Sequence, residues 1–153
     1  MSDLSVVPTV KPYADGQDAS GTALEDSFPA VDPQFVPFGA KVLVQVRRVM
    51  RVSKGGIILA ESSKETEAWN MQVGKIRAIG PLAFKDRRNG QAWPEGMWAD
   101  VGDFVRFPRW GGDRLSVPLD DGRGDPVVIL IMDDHQLLGK YTGDPLAVRA
   151  FIQ

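Results

Sequence analysis

Between Lys41 and Met132 the apolar residues come in short runs with a period of two, and the runs are separated by glycine or Asp/Asn turn signals. Val42, Val44 and Val46 fall on one face of a strand, with Lys41 and Gln45 opposite. Val73 to Gly80 reads as a second strand with Lys75 and Arg77 outward, and Leu115, Val117 and Leu119 alternate again. Such alternation is the pattern of a half-buried strand. Val127 to Met132 is apolar throughout, which suits a strand covered on both faces. Val101-Gly102-Asp103 turns into a strand from Phe104 to Phe107, and Arg88-Asn89-Gly90-Gln91 carries the Asn-Gly pair favoured in tight hairpins. Asp120 to Asp125 is a further turn. Short strands, close turn signals and almost no helical period predict an all-β fold, an irregular β-barrel. The exception is late: Asp144 as a cap and Pro145 in the first position predict a short helix running to Ile152.

The chain has 153 residues, enough for one domain with a proper core. Its charge is unevenly spread. Residues 1–34 hold six acids against one base, Lys11, whereas residues 35–153 hold 14 acids and 17 bases. Residues 1–33 are also poor in large apolar side chains and dotted with Pro, Gly, Ser and Asp, so burial cannot offset the entropy of ordering them. The expected organisation is an acidic, disordered or loosely draped arm over 1–34, a barrel over 35–143 and a C-terminal extension over 144–153.

The sequence offers little for catalysis. There is no cysteine, which excludes disulfides and thiol chemistry. His135 is the only histidine and lies beside Asp133 and Asp134; a site needs several convergent groups, so a surface turn is its expected place. Asp120, Asp121 and Asp125 lack the spacing and terminal Glu of a calcium loop. Arg123-Gly124-Asp125 is too short a string to carry an adhesion function. No phosphate-binding glycine signature appears. The expectation is a protein that is not an enzyme and holds no metal or cofactor of its own. With no basic-apolar leader and no run near the roughly 20 residues that span a bilayer, a cytoplasmic protein with no membrane partner is expected.

A second class stays in view. Basic residues cluster at Arg47, Arg48 and Arg51, at Lys85, Arg87 and Arg88, and at Arg106, Arg109 and Arg114, and the four tryptophans are Trp69, Trp93, Trp98 and Trp110. On a small barrel these could form a single-strand nucleic-acid groove with stacking platforms. The net charge of −2 and pI near 5.4 favour a solvated surface with tryptophans in the core or at subunit contacts, so no nucleic acid is expected.

The segment Ser53-Lys54-Gly55-Gly56-Ile57-Ile58-Leu59 sits in a polar stretch from Arg47 to Asn70. One reading is a hairpin whose returning strand, Gly56 to Ala60, turns Ile57 and Leu59 into a core. The other is an apolar triplet on a loop kept available for a partner, since two adjacent glycines carry a large backbone entropy. Residue patterning alone leaves both open.

Taken in order, the pieces resemble the co-chaperonin (GroES, chaperonin-10) family. Val42 to Arg48 resembles its first strand, and Gly55-Gly56-Ile57-Ile58-Leu59 resembles the Gly-Gly-aliphatic-aliphatic-Leu of its mobile loop. Val73 to Gly80 resembles the strand after the loop, Asp100 to Phe107 the Val-Gly-Asp strand after the roof hairpin, and Val128 to Leu138 the closing strand and C-terminus. The match covers about Phe35 to Tyr141. The resemblance implies a GroES-like barrel with a long mobile loop and a roof β-hairpin tipped by Asn89 and Gly90. It also implies a homo-oligomeric, heptameric ring that caps a GroEL-type chaperonin. Gly55, Gly56, Ile57, Ile58 and Leu59 would then dock on the chaperonin, displace unfolded clients and enclose them. ATP would be bound by the partner, not by this chain. The long return from Ala60 to Gln72, the roof tryptophans Trp93 and Trp98, and the additions at both ends depart from short bacterial members; such additions are more typical of divergent forms, including those carried by bacteriophages, for which the compartment would be the host cytoplasm. The ring reading further expects Phe38 to Val46 and Val127 to Met132 to pair or pack between subunits.

Overall fold

A computed structural model of the chain describes residues 24–48, 56, 72–109 and 111–146. Six strands make one sheet: β1 (Lys41–Val46), β2 (Val73–Ile79), β3 (Phe104–Arg106), β4 (Asp113–Val117), β5 (Val127–Asp133) and β6 (Gly139–Lys140). Their order across the sheet is β4-β5-β1-β2-β3-β6, with every neighbouring pair antiparallel. One helical turn, α1 (Leu24–Ser27), precedes them, and a 3₁₀ turn over Asp134–Gln136 follows β5. The all-β reading therefore stands: β1 to β5 fall on the stretches read as strands, give or take one residue, and only the two-residue β6 was not expected.

The period-two pattern sorts the core. Val42, Val44 and Val46 face inward with Ile76, Leu130 and Met132, and Phe84 and Ala99 from the β2–β3 connection close over them. Leu43, Val127 and Ile129 form a second cluster on the opposite face, joined by Leu115, Val117 and Ile131. The central strand β1 is thus covered on both faces, which corrects the half-buried expectation: Lys41 is exposed, but Gln45 is fully buried. The expected pairing of β1 and β5 between subunits is corrected too. Within one chain Lys41 faces Asp133 and Gln45 faces Ile129, and the sheet edges are β4 and β6.

What covers the outer face is the chain before β1. Phe28 is buried against Phe104, with ring centroids 5.1 Å apart at 64°, in a cluster with Val73, Tyr141 and Leu146. Gln45 Nε2 donates to the Pro29 carbonyl at 2.8 Å, and the Arg48 amide donates to that of Ser27 at 2.8 Å. Arg123 reaches Asp26 through both terminal nitrogens at 3.2 and 3.3 Å. Residues 24–35 form a strap, so for 24–34 the expectation of an unpacked arm is corrected. Composition misled because a single phenylalanine anchors the segment while polar bonds do the rest.

The strap also overturns the outward placement of Lys75 and Arg77. Leu43 faces Ala78 and Val44 faces Ile76, leaving Arg77 as an extra residue in the β1–β2 ladder. A bulge of this kind bends the strand and re-aims a side chain. Arg77 is turned beneath the strap, where Nε donates to Gln45 Oε1 at 2.6 Å and Nη2 to the carbonyls of Phe28 and Pro29 at 3.2 and 3.1 Å.

Candidate functional site

The segment between β1 and β2 leaves the sheet at a firmly built root. Val46 faces Gly74 as the last ladder pair, and the Arg47 amide donates to the Val73 carbonyl at 3.1 Å. The strands approach so closely that a Cβ on Gly74 would overlap the Val44 side chain and the Gln45 carbonyl. On the outgoing side the Arg48 side chain is 1% exposed. Its guanidinium grips Asp121 at 2.7 and 2.9 Å and donates to the carbonyls of Asp125 at 2.7 Å, Gly124 at 3.2 Å and Leu119 at 3.3 Å. That bidentate grip, helped by the Arg123 amide, holds the Asp121 carboxyl well below the usual carboxylate range. On the returning side, Gln72 Nε2 donates to the Phe107 carbonyl at 2.9 Å, and the Phe107 amide donates back to that of Gln72 at 3.2 Å.

Of the five residues expected to dock on a partner, Gly56 alone is described; Gly55, Ile57, Ile58 and Leu59 lie outside the described residues. Gly56 is an exposed bend with φ 91°, and nothing lies within 4 Å of where its Cβ would be. An L side chain rarely adopts that backbone, so glycine is required by conformation rather than by space.

Asn89 and Gly90 sit in a tight turn between Asp86 and Gln91. The Asp86 amide donates to the Gln91 carbonyl at 2.8 Å and the Gly90 amide to that of Asp86 at 2.7 Å; beyond it, Lys85 and Ala92 form one isolated β-bridge. Gly90 has φ 74° while Asn89 does not have positive φ, so this is a four-residue loop and not the two-residue primed turn that Asn-Gly favours. The reason lies in the side chains. Asp86 Oδ1 accepts the Arg88 amide at 3.0 Å and Asn89 Oδ1 that of Gln91 at 2.9 Å, which holds the wider turn.

Behind this turn Trp93 and Trp98 stack at 5.9 Å and 8°, and His135 stands edge-on to both at 6.1 and 5.2 Å. The two rings are spent on each other, on His135 and, through Trp98, on Phe84. Trp69 and Trp110 lie outside the described residues. The basic clusters are similarly engaged: Arg48 with Asp121, Arg87 with Asp133 and Asp134, Arg88 with Asp86, and Arg106 with the Tyr141 hydroxyl, while Arg47 and Arg109 also have partners. These stacks and pairs disfavour a nucleic-acid groove. Among the described residues no group of His, Asp or Glu is arranged to hold a metal ion, and no helix is long and apolar enough to cross a membrane.

Comparison with known proteins decides the family. Residues 34–141 match the family described as the chaperonin 10 Kd subunit. Co-chaperonin GroES of Caulobacter vibrioides (strain NA1000 / CB15N) is 32% identical over 106 residues, covering 69% of this chain and 95% of that protein. Co-chaperonin GroES of Maricaulis maris (strain MCS10) is 33% identical over 105 residues, covering 69% and 95%. That of Syntrophomonas wolfei is 30% identical over 105 residues, covering 68% and 94%. The chain belongs to the chaperonin-10 family.

The homology supports a co-chaperonin role and marks this chain as a divergent member. The chaperonin-10 match begins at Gln34, where the strap hands over to the barrel, and ends at Tyr141. The packed strap residues 24–33 are therefore an addition to the family body. Residue patterning missed the strap, the Arg77 bulge and the Arg48 clamp; a lone Phe28 among acids, and an Arg-Arg pair closing an apolar strand, were the available signals.

Proposed function

We propose that this chain is the ring lid of a GroEL-type chaperonin, and that Gly55, Gly56, Ile57, Ile58 and Leu59 are its docking element. In this reading seven copies form the ring, the roof turn at Asn89-Gly90 lies over the enclosed chamber, and the partner binds and hydrolyses ATP. The lid carries no cofactor and works in the cytoplasm.

The observation that carries the reading is the loop root. Arg48 and Gln72 are each bonded into the barrel, while the one described residue between them, Gly56, is exposed and in a left-handed bend. A rigid frame that presents a glycine-preceded aliphatic triplet can expose it without endangering the core. Burying three aliphatic side chains yields on the order of 5–9 kcal/mol gross. Ordering loop residues against a partner costs about 1–2 kcal/mol each, which cancels most of that gain. One loop binds weakly, and a ring of loops binds through effective concentration while remaining releasable.

The test is Ile58→Asp, scored on one preparation for melting and for co-elution with a chaperonin in the presence of ATP. An unpaired charge in an apolar groove should abolish capping with melting unchanged. A sharply lowered melting temperature would instead place Ile58 in the core and sink the docking role.

A further inference from the structure

Between the strap and the sheet lies a cavity of about 240 Å³, walled by Val31, Phe35, Leu43 and Val101 and floored by Lys75 and Arg77 of β2. Lys75 is nine-tenths buried, at 9% exposure. Among the described residues no carboxylate or carbonyl lies within hydrogen-bond or ion-pair distance of its ammonium, which stands over the Phe104 ring, 5.5 Å from Nζ to the centroid. An aromatic face returns only part of the hydration that burial removes. Arg77 beside it donates to the neutral acceptors of Gln45, Phe28 and Pro29, so its charge is not cancelled there either. The one acidic side chain of the lining, Asp32, has Oδ1 accepting the Gln34 amide at 2.8 Å. The cavity is therefore a small apolar chamber with an unmatched positive floor.

We propose that this cavity binds a small organic carboxylate with a short aliphatic body, its head group on Lys75. The three donors of an ammonium match a carboxylate, and such charge-assisted bonds are the strong ones. The apolar walls leave few further donors for a phosphate, which demands several. The volume lies below the roughly 300–1,000 Å³ of drug-sized sites, which limits the ligand to a short chain. Burial, with the nearby Arg77 charge adding, pushes Lys75 down to about 8, so the amine is mostly protonated at pH 7 and a carboxylate would hold it so.

The probe is hexanoate, titrated into the full-length protein at pH 7 and followed calorimetrically and by amide shifts. Saturable binding is expected, with shifts at Ala78, Val101 and Gly102. Hexan-1-ol, with the same body and no charge, and inorganic phosphate should each bind about tenfold more weakly or worse. Lys75→Met should cut hexanoate affinity about tenfold or more. With the wild-type chain, affinity should fall as pH rises from 7 to 9.5, an arm that needs no variant; the other charged groups of the lining are Arg77 and Asp32. Absence of saturation, equal binding of hexanol, preference for phosphate, or unchanged affinity in Lys75→Met would each overturn the proposal.

Discussion

The Phe84 amide donates to the Asp134 carboxylate at 2.7 Å, tying the entrance of the roof segment to the turn that follows β5. Phe84 is fully buried and has φ 61°, a left-handed backbone that costs an aromatic residue roughly 1–2 kcal/mol. Asp134 is fully buried as well, and Arg87 reaches its other oxygen at 3.0 Å. The bond thus holds a strained residue whose ring fills the inner core and touches Trp98.

Asp134→Ala should lower stability by about 2–3 kcal/mol, because a buried amide loses its acceptor and Arg87 loses its counter-charge. Asp134→Asn keeps an acceptor and should cost clearly less. Urea denaturation of both variants checks this; equal losses would mean that the charge, not the bond to Phe84, is what matters.

Arg48→Met should cost about 2–4 kcal/mol, since the carbonyls of Leu119, Gly124 and Asp125 would lose a buried donor. The pair also sets a pH dependence. The Asp121 carboxyl lies below its ordinary 3.8 in the folded chain, so its contribution is complete above that value and is lost as pH falls through the folded value. Wild type and Asp121→Asn should differ at pH 6 and converge as pH drops below about 4. Parallel melting curves down to pH 2 would refute the coupling.

Phe28→Ala should cost about 3 kcal/mol, the low end for a buried phenylalanine because the strap can relax around the gap. Removing residues 1–34 should do more harm, uncovering Val73 and Phe104 and depriving Gln45 and Arg77 of the Phe28 and Pro29 carbonyls they donate to. Removing only 1–23 preserves every one of these contacts. Differential scanning calorimetry on the two truncations separates them, and equal melting temperatures would mean that the strap is decoration.

What residue patterning could reach follows from where apolar side chains carry the information. Val42, Val44 and Val46 announce a strand by their period of two, and the run Val127 to Met132 by its unbroken apolar character. Gln45, Lys75 and Arg77 broke the rule. Each is polar, which by pattern means solvent-facing, yet the strap buries Gln45 and Lys75 and half-covers the bulged Arg77, and neither strap nor bulge has a period. The Asn89-Gly90 turn was legible as a turn but not as its type, which depends on the competing Asp86 and Asn89 side chains. Arg48 and Asp121 are 73 residues apart, and no local pattern joins them.

The last prediction concerns Lys75, whose burial is a cost to the fold. Its amine is pushed from 10.5 to about 8, so between those values the unfolded chain binds more protons than the folded one and stability rises with pH. Below about 8 both states are protonated, and the folded state bears the whole penalty. In ligand-free buffer at pH 7, Lys75→Met should therefore be more stable than wild type by on the order of 1–2 kcal/mol, a figure discounted for the water that reaches the ammonium through the cavity. The advantage should shrink steadily from pH 8 to pH 10 as the wild-type amine sheds its proton. Chemical denaturation of both proteins across that range reads it directly. A gap that stays constant with pH would show that methionine packs better for reasons of shape, and that the buried charge is not what the fold pays.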